Sequence, residues 1–440
     1  MARSLDGASS RRVVVTGAGC VTPLGLDRES SWRALLSGES GVRDIRATLL
    51  AADDPHDQLT APLGAPLVGF DLVGGNSAFD IRSIRRQVKT FDQTAQYFLE
   101  ACHQALVHAG VPLEETLRVD ETALDPRRFG VVAGTGIGGA AVVGEVERIL
   151  STGKHRIAPS HILRGLVGRI GEVASMTFGA GAFVDGNLAE CAAASGAIND
   201  GADEIVLGRA DVVLAGGAEF ALAPTLVGMF DALKAALNTS DDPGTASRPF
   251  HLDPGGLVMA QGAGAVVLEE REHALRRGAP LLGELIGWGK SSDAADPVFP
   301  DSDGIRRSIE QALEWAGLEP RELESVYLNA HATSTGGDFV ELEAIAELFE
   351  PAQFAGLNST KGSTGHMFGA AGAVEATFCL LALRDNVVPP ALVKGALSPE
   401  AERWPMSFGT PTTPARPIAL ALNRSSGFGG HNRDQLFAPA

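Results

Sequence analysis

Two stretches of this chain are built almost wholly from small residues, and they restrict the fold more than any other feature. Cys191 to Asn199 and Gly369 to Ala376 each read as a helix of Ala, Gly and Ser with little else. A helix without large side chains can sink into a close-packed interior. Each is introduced by a residue that carries chemistry. Cys191 opens the first, where the positive end of the helix dipole and free backbone N–H groups favour the thiolate, so it is the candidate nucleophile. The second follows Lys361 to His366, and a further histidine, His331, stands in Asn329 to Asp338 after the strand-like Ser325 to Leu328. A cysteine and two histidines at element ends among glycines make a nucleophile with proton and oxyanion handlers.

The rest of the chain alternates in the same way. Arg12 to Cys20 reads as a buried strand entering a glycine turn. It is not a dinucleotide fingerprint, because the third glycine is missing and Pro23 interrupts the helix that would follow. Ser30 to Leu36 and Phe91 to Ala109 read as helices, Phe129 to Gly136 as a strand ending in a glycine loop, and Leu49 to Asn76 as a surface excursion. Later strands are expected at Ala263–Glu270, Pro280–Ile286, Ser325–Asn329 and, last, Ile418–Leu422. Helices are expected at Ile305–Gly317, Phe339–Phe349 and Gly369–Arg384. Strands alternating with helices predict an α/β fold with a mostly parallel sheet. No linker divides the 440 residues, so the chain reads as one unit of two halves, residues 1–262 and 263–440, and the paired small-residue helices are an internal echo of one half in the other.

These motifs resemble those of the β-ketoacyl synthases that act on acyl carrier proteins, condensing enzymes of fatty acid and polyketide biosynthesis, and the resemblance spans nearly the whole chain. It implies the thiolase fold, a duplicated helix–sheet–helix–sheet–helix sandwich with the small-residue helices innermost. It also implies an acyltransferase: an acyl chain passes from the pantetheine arm of a carrier to Cys191, and a malonyl-type extender loses CO₂ and attacks the thioester. By the same resemblance His331 and His366 stabilise the enolate, Lys361 and Glu375 are a charged pair near the second histidine, and Thr333 and Thr335 bind the pantetheine arm. Asn423 to Asn432 matches the family's glycine-rich loop, in which the Phe428 and Cys191 amides form the oxyanion hole, Phe428 is a gate, and Phe428 and Gly429 contact substrate.

Arg82, Arg85, Arg86 and Lys89 crowd one stretch of a chain whose net charge is −18, where relatives offer basic residues to an acidic carrier. That overall charge argues against nucleic acid and anionic membranes as main partners. Four cysteines without metal-ligand spacing fit a reducing cytoplasm, with no metal and no bound cofactor beyond the carrier's phosphopantetheine. The chain departs from the family pattern at Asn187 and Glu190, which replace small residues before the nucleophile and place near it a carboxylate that raises a thiol's pKa. Asp293 to Pro297 lacks the usual His and Thr, and Leu163 to Ile170 the usual Pro and Asn. These departures keep open a homodimer or a heterodimer with a second synthase-like chain. They also keep open a chain-length-determining or partner role, and acyl transfer without elongation.

Overall fold

The computed structural model describes residues 11–46, 62–72, 84, 88, 90–153, 157–235, 240, 242–392 and 395–440. Thirteen strands lie among them: β1 (Val13–Val21), β2 (Arg43–Asp44), β3 (Leu63–Ala65), β4 (Phe129–Gly134), β5 (Val184–Asn187), β6 (Val212–Glu219), β7 (Met259–Ala260), β8 (Gly262–Glu270), β9 (Gly283–Ser292), β10 (Val326–Asn329), β11 (Phe354–Asn358), β12 (Leu420–Gly427) and β13 (His431–Ala438). The helices that build the layers and the site are α1 (Gln93–His108), α2 (Ala140–Thr152), α3 (Arg169–Phe178), α4 (Ala193–Val206), α5 (Pro224–Ala232), α6 (Ser302–Ala316), α7 (Gly337–Leu348) and α8 (Ala371–Asp385).

Ten strands run in the order β11-β10-β12-β13-β9-β1-β8-β6-β4-β5, and β2, β3 and β7 form a small separate sheet. The long order is two five-stranded sheets that meet where Val13–Val15 of β1 pairs with Gly283–Leu285 of β9. Each half has the same plan. A parallel trio, β5-β4-β6 or β11-β10-β12, is followed by two antiparallel strands. The expected mostly parallel sheet is therefore corrected to a mixed one. Helical crossovers make parallel neighbours, whereas the turn between β12 and β13 is too short for anything but a hairpin.

α1 and α3 cover one face of the first sheet, α6 and α7 flank the second, and α4 and α8 lie between the two sheets and against each other. These are the five layers of the thiolase fold. Small residues are required in the middle layer: a Cβ added at Gly372 of α8 would lie 2.0 Å from Ser195 Oγ of α4, well inside the roughly 3.5 Å of ordinary contact. The two inner helices also start alike. A residue forced to positive φ, Glu190 (50°) before α4 and Phe368 (45°) before α8, begins a short 3-10 turn that leads into each.

Three further expectations change. The boundary at 262/263 cuts off β8, which hydrogen-bonds along its length to β1 and β6 and so completes the first half's sheet. Within 49–76, β3 is buried and runs parallel to β7 instead of crossing the surface. The run from Asn423 is β12 up to Gly427, with Phe428 to Gly430 as the hairpin turn, and β13 rather than Ile418–Leu422 ends the chain's sheet.

Candidate active site

The turn before α4 and the turn before α8 meet at one cavity of about 630 Å³, lined by Cys191, His331, His366, Thr333, Thr335 and Phe428 among others. Cys191 reaches it from the first half, and everything else named comes from the second. The imidazoles of His331 and His366 stand edge to face with ring centroids 5.3 Å apart. Burial, with the Lys361 charge behind them, holds both rings well below the ordinary histidine range, so both are neutral; His366 and Arg424 push His331 further the same way. Each Nδ1 is buried without a partner among the described residues.

Cys191 is 7% exposed, and its thiol is pushed up to about 12, chiefly by burial and then by the carboxylates of Glu190 and Glu219, against the opposing Lys361. The thiolate expected from the helix dipole is thus corrected. At the foot of a buried helix, desolvation and two carboxylates outweigh the dipole, and the resting sulfur keeps its proton.

Lys361 and Glu375 lie behind the histidines as a fully buried ion pair, Nζ to Oε1 2.5 Å. Burial raises the Glu375 carboxyl and Lys361 opposes it. The pair supplies a fixed field; neither residue lines the cavity. Thr333 and Thr335 touch through their hydroxyls at 3.1 Å, and their loop is held by Asp338, which accepts N–H bonds from Thr333, Ser334, Thr335 and Phe250.

Gly427 packs so tightly on the nucleophile's turn that a Cβ there would lie 2.5 Å from the Ala189 oxygen and 3.2 Å from the Cys191 nitrogen. That contact sets the Phe428 turn beside the Cys191 amide, as an oxyanion hole needs. The Phe428 ring stacks on Phe230 of α5 at 6.3 Å; Phe230 meets Phe368 at 4.8 Å, and Phe368 meets His366 at 4.7 Å. Gly429, expected at the substrate, is not part of the cavity lining; at φ 79° it donates its N–H to the Pro297 carbonyl. Arg82, Arg85, Arg86 and Lys89 lie outside the described residues.

Three charged residues to which the sequence reading gives no role complete the site. Glu341 accepts the His331 and Ala332 N–H groups and an Arg424 Nη1 bond at 2.7 Å, and Arg424 also donates to Ser426 and Asn432. Arg424 thus ties the His331 loop to the strand carrying the Phe428 turn. Glu219 closes β6 directly behind the nucleophile. Arg424 is marked in the sequence as the one charge of its strand and Glu219 as a glutamate ending an apolar strand, whereas Glu341 in its acidic helix is unmarked.

Models of the β-ketoacyl synthase N-terminal and C-terminal domains match residues 10–274 and 282–393. A 3-oxoacyl-[acyl-carrier-protein] synthase 2 of Rhizobium meliloti is 36% identical over 96% of this chain and 97% of its own length, and a mitochondrial 3-oxoacyl-[acyl-carrier-protein] synthase of Arabidopsis thaliana is 36% identical over 98% and 94%. Among solved structures, a type II polyketide acyl carrier protein in complex with its ketosynthase bound to the hexaketide superposes with a TM-score of 0.83 at 27% identity, covering 98% of this chain and 100% of that one. The ishigamide ketosynthase/chain length factor gives 0.84 at 27%, with the same coverage.

Proposed function

This chain belongs to the β-ketoacyl synthase family, an acyl-transferring condensing enzyme of fatty acid or polyketide biosynthesis, and we propose that its catalysis runs through Cys191, His331 and His366. The observation that carries the assignment is that one thiol and two neutral imidazoles converge on one cavity. In the first half-reaction the Cys191 sulfur attacks the carbonyl of an acyl thioester on a carrier's pantetheine. The S–H proton leaves as the new C–S bond forms and is returned to the departing pantetheine sulfur. The carbonyl oxygen takes its negative charge between the Cys191 and Phe428 amides.

In the second half-reaction a malonyl-type thioester loses CO₂, and its enolate oxygen accepts hydrogen bonds from the two imidazoles. Neutral rings suit this, since each donates an N–H without binding the malonyl carboxylate as a cation would. The enolate carbon then attacks the Cys191 thioester, a C–C bond forms, and the sulfur leaves and recovers a proton. Thr333 and Thr335 hold the pantetheine arm, Phe428 gates the cavity, and the Lys361 charge, held in place by Glu375, adds to the burial that keeps the histidines neutral. The enzyme uses no cofactor of its own, and the cytoplasm is its compartment; among the described residues no helix is long and apolar enough to cross a membrane.

Its carrier is acidic and docks on the basic stretch 82–89, and its second partner is another copy of the same chain. Among the described residues β5 hydrogen-bonds only to β4, and its other edge carries no strand. Val184 within β5 and Leu188 directly after it are 38% and 58% exposed. A two-fold mate would cover this apolar edge. Glu190 sits half-buried beside it with its carboxyl raised by burial, which favours a second reading: a heterodimer whose other chain offers a basic residue or none at that place. Mass spectrometry after incubation with acyl and malonyl carriers tests the function. An acyl mass on Cys191 followed by a β-ketoacyl product supports it, and acyl transfer without CO₂ release overturns it.

A further inference from the structure

The carboxylate of Glu219 is buried at the end of β6 and accepts hydrogen bonds from two segments that belong to opposite halves of the site. From the loop after β4 come Thr135 Oγ1 at 3.0 Å, Gly136 N at 2.7 Å, and Ile137 and Gly138 N at 3.2 Å. From the turn before α8, three residues past His366, comes Gly369 N at 3.1 Å. No Lys or Arg pairs with Glu219 among the described residues; its charge is balanced by N–H dipoles. The segments it joins are in direct backbone contact. A Cβ at Gly369 would lie 2.3 Å from Gly136 N, and one at Gly136 would lie 3.2 Å from the carbonyl of Glu190, the residue before the nucleophile.

We infer that Glu219 is a positioning residue with two effects on Cys191: it fixes the nucleophile's turn against the histidine-bearing turn, and its negative charge adds to the burial that opposes thiolate there. This rests on Cys191 being the nucleophile. Every donor in the cradle is an N–H or O–H, so a carboxylate fits it and an amide does not. An amide turned either way points an N–H₂ at backbone N–H groups. The charge works through space, alongside Glu190 and against Lys361, the other charged groups acting on the sulfur, with neutral His331 and His366 sharing its cavity. A thiol held this way loses its proton only as a thioester carbonyl arrives in the oxyanion hole, which protects it from adventitious electrophiles between turnovers.

The test separates the two effects. Burial pushes the Glu219 carboxyl up to about 7, so the labelling is done at pH 8.5, where it is ionised. In Glu219→Gln, condensation should fall roughly tenfold or more as the turns lose register, whereas labelling of Cys191 by iodoacetamide at that pH should become several-fold faster because a nearby negative charge is gone. Glu219→Asp keeps the charge and shortens the reach, so condensation should fall without faster labelling; it also covers the case in which the Gln variant fails to fold. Condensation within twofold of wild type in both variants, or labelling of the Gln variant that is unchanged or slower, overturns the inference. Acyl transfer from a carrier thioester at the native rate in a Cys191→Ala control would instead overturn the nucleophile assignment.

Discussion

Replacing Gly427 by Ala adds one methyl group and no chemistry, yet it should cripple the enzyme. Gly427 has no positive φ, so alanine's backbone is allowed there and the whole effect is contact. The new Cβ would sit 2.5 Å from the Ala189 oxygen and 3.2 and 3.3 Å from the Cys191 and Ala192 nitrogens. A carbon meets a carbonyl oxygen comfortably at about 3.3 Å, so β12 and the nucleophile's turn must part by about 0.8 Å. Phe428, the next residue, moves with β12, and its N–H leaves the thioester oxygen. Losing one such donor costs about 3 kcal/mol, or 10²- to 10³-fold in rate. Overpacking of this size costs about 1–3 kcal/mol of stability, which a folded protein of this size can tolerate. The measurement is the rate of Cys191 acylation from an acyl-pantetheine thioester, followed by mass spectrometry, beside iodoacetamide labelling and a melting curve. Acylation should slow about a hundredfold with KM little changed. Alkylation, which builds no oxyanion, should change only a few-fold. A folded variant that acylates within threefold of wild type would refute the reasoning, and equal loss of acylation and alkylation would show a collapsed site.

The other expectations concern the groups around that turn. Cys191 alone of the four cysteines should take an acyl group, and its alkylation should keep rising with pH through 10, because a thiol held near 12 gains thiolate over that whole range while an exposed one levels off near 8.5; a plateau below pH 9 would contradict it. His331→Ala and His366→Ala should each remove malonyl decarboxylation by about 2–4 kcal/mol in barrier while sparing acyl loading, and parallel loss of both half-reactions would remove the roles assigned. Lys361→Met should destabilise the protein by about 3–5 kcal/mol, since it strands a buried carboxylate. Glu375 is already raised and would rise further. Its proton is then bound more tightly folded than unfolded, so the defect should be small below about pH 4 and grow as pH rises through the folded value; a pH-independent melting deficit would exclude Glu375 as its source. Light scattering of the chain purified alone should give a dimer, and an inactive monomer rescued by a co-expressed synthase-like chain would establish the heterodimer.

What the sequence made legible was the chemistry, because nucleophile and histidines sit at element ends among glycines and small residues, where turns and close approach leave a local mark. What it hid was whatever depends on partners distant along the chain. β13 has no apolar alternation: Asn432, Asp434 and Gln435 are fully buried polar residues. Gln435 gives its N–H₂ to the Ser195 carbonyl and to Asn199 and accepts from Asn423, and Asp434 faces Arg424 at 3.6 Å. By hydropathy such a strand looks like loop, and so the glycine-rich run before it looks like loop as well. The thiol shows the same limit in energetic form. A helix N-terminus is visible at Cys191 and argues for thiolate, but Glu219 arrives from the end of another strand, and full burial comes from packing the second half onto the first. Local sequence reports the dipole, whereas desolvation and the opposing charge arise only in the assembled core, and at a buried sulfur they outweigh the dipole. The nucleophile is therefore recognisable from its neighbours in sequence, while its reactivity is set by residues brought to it by the fold.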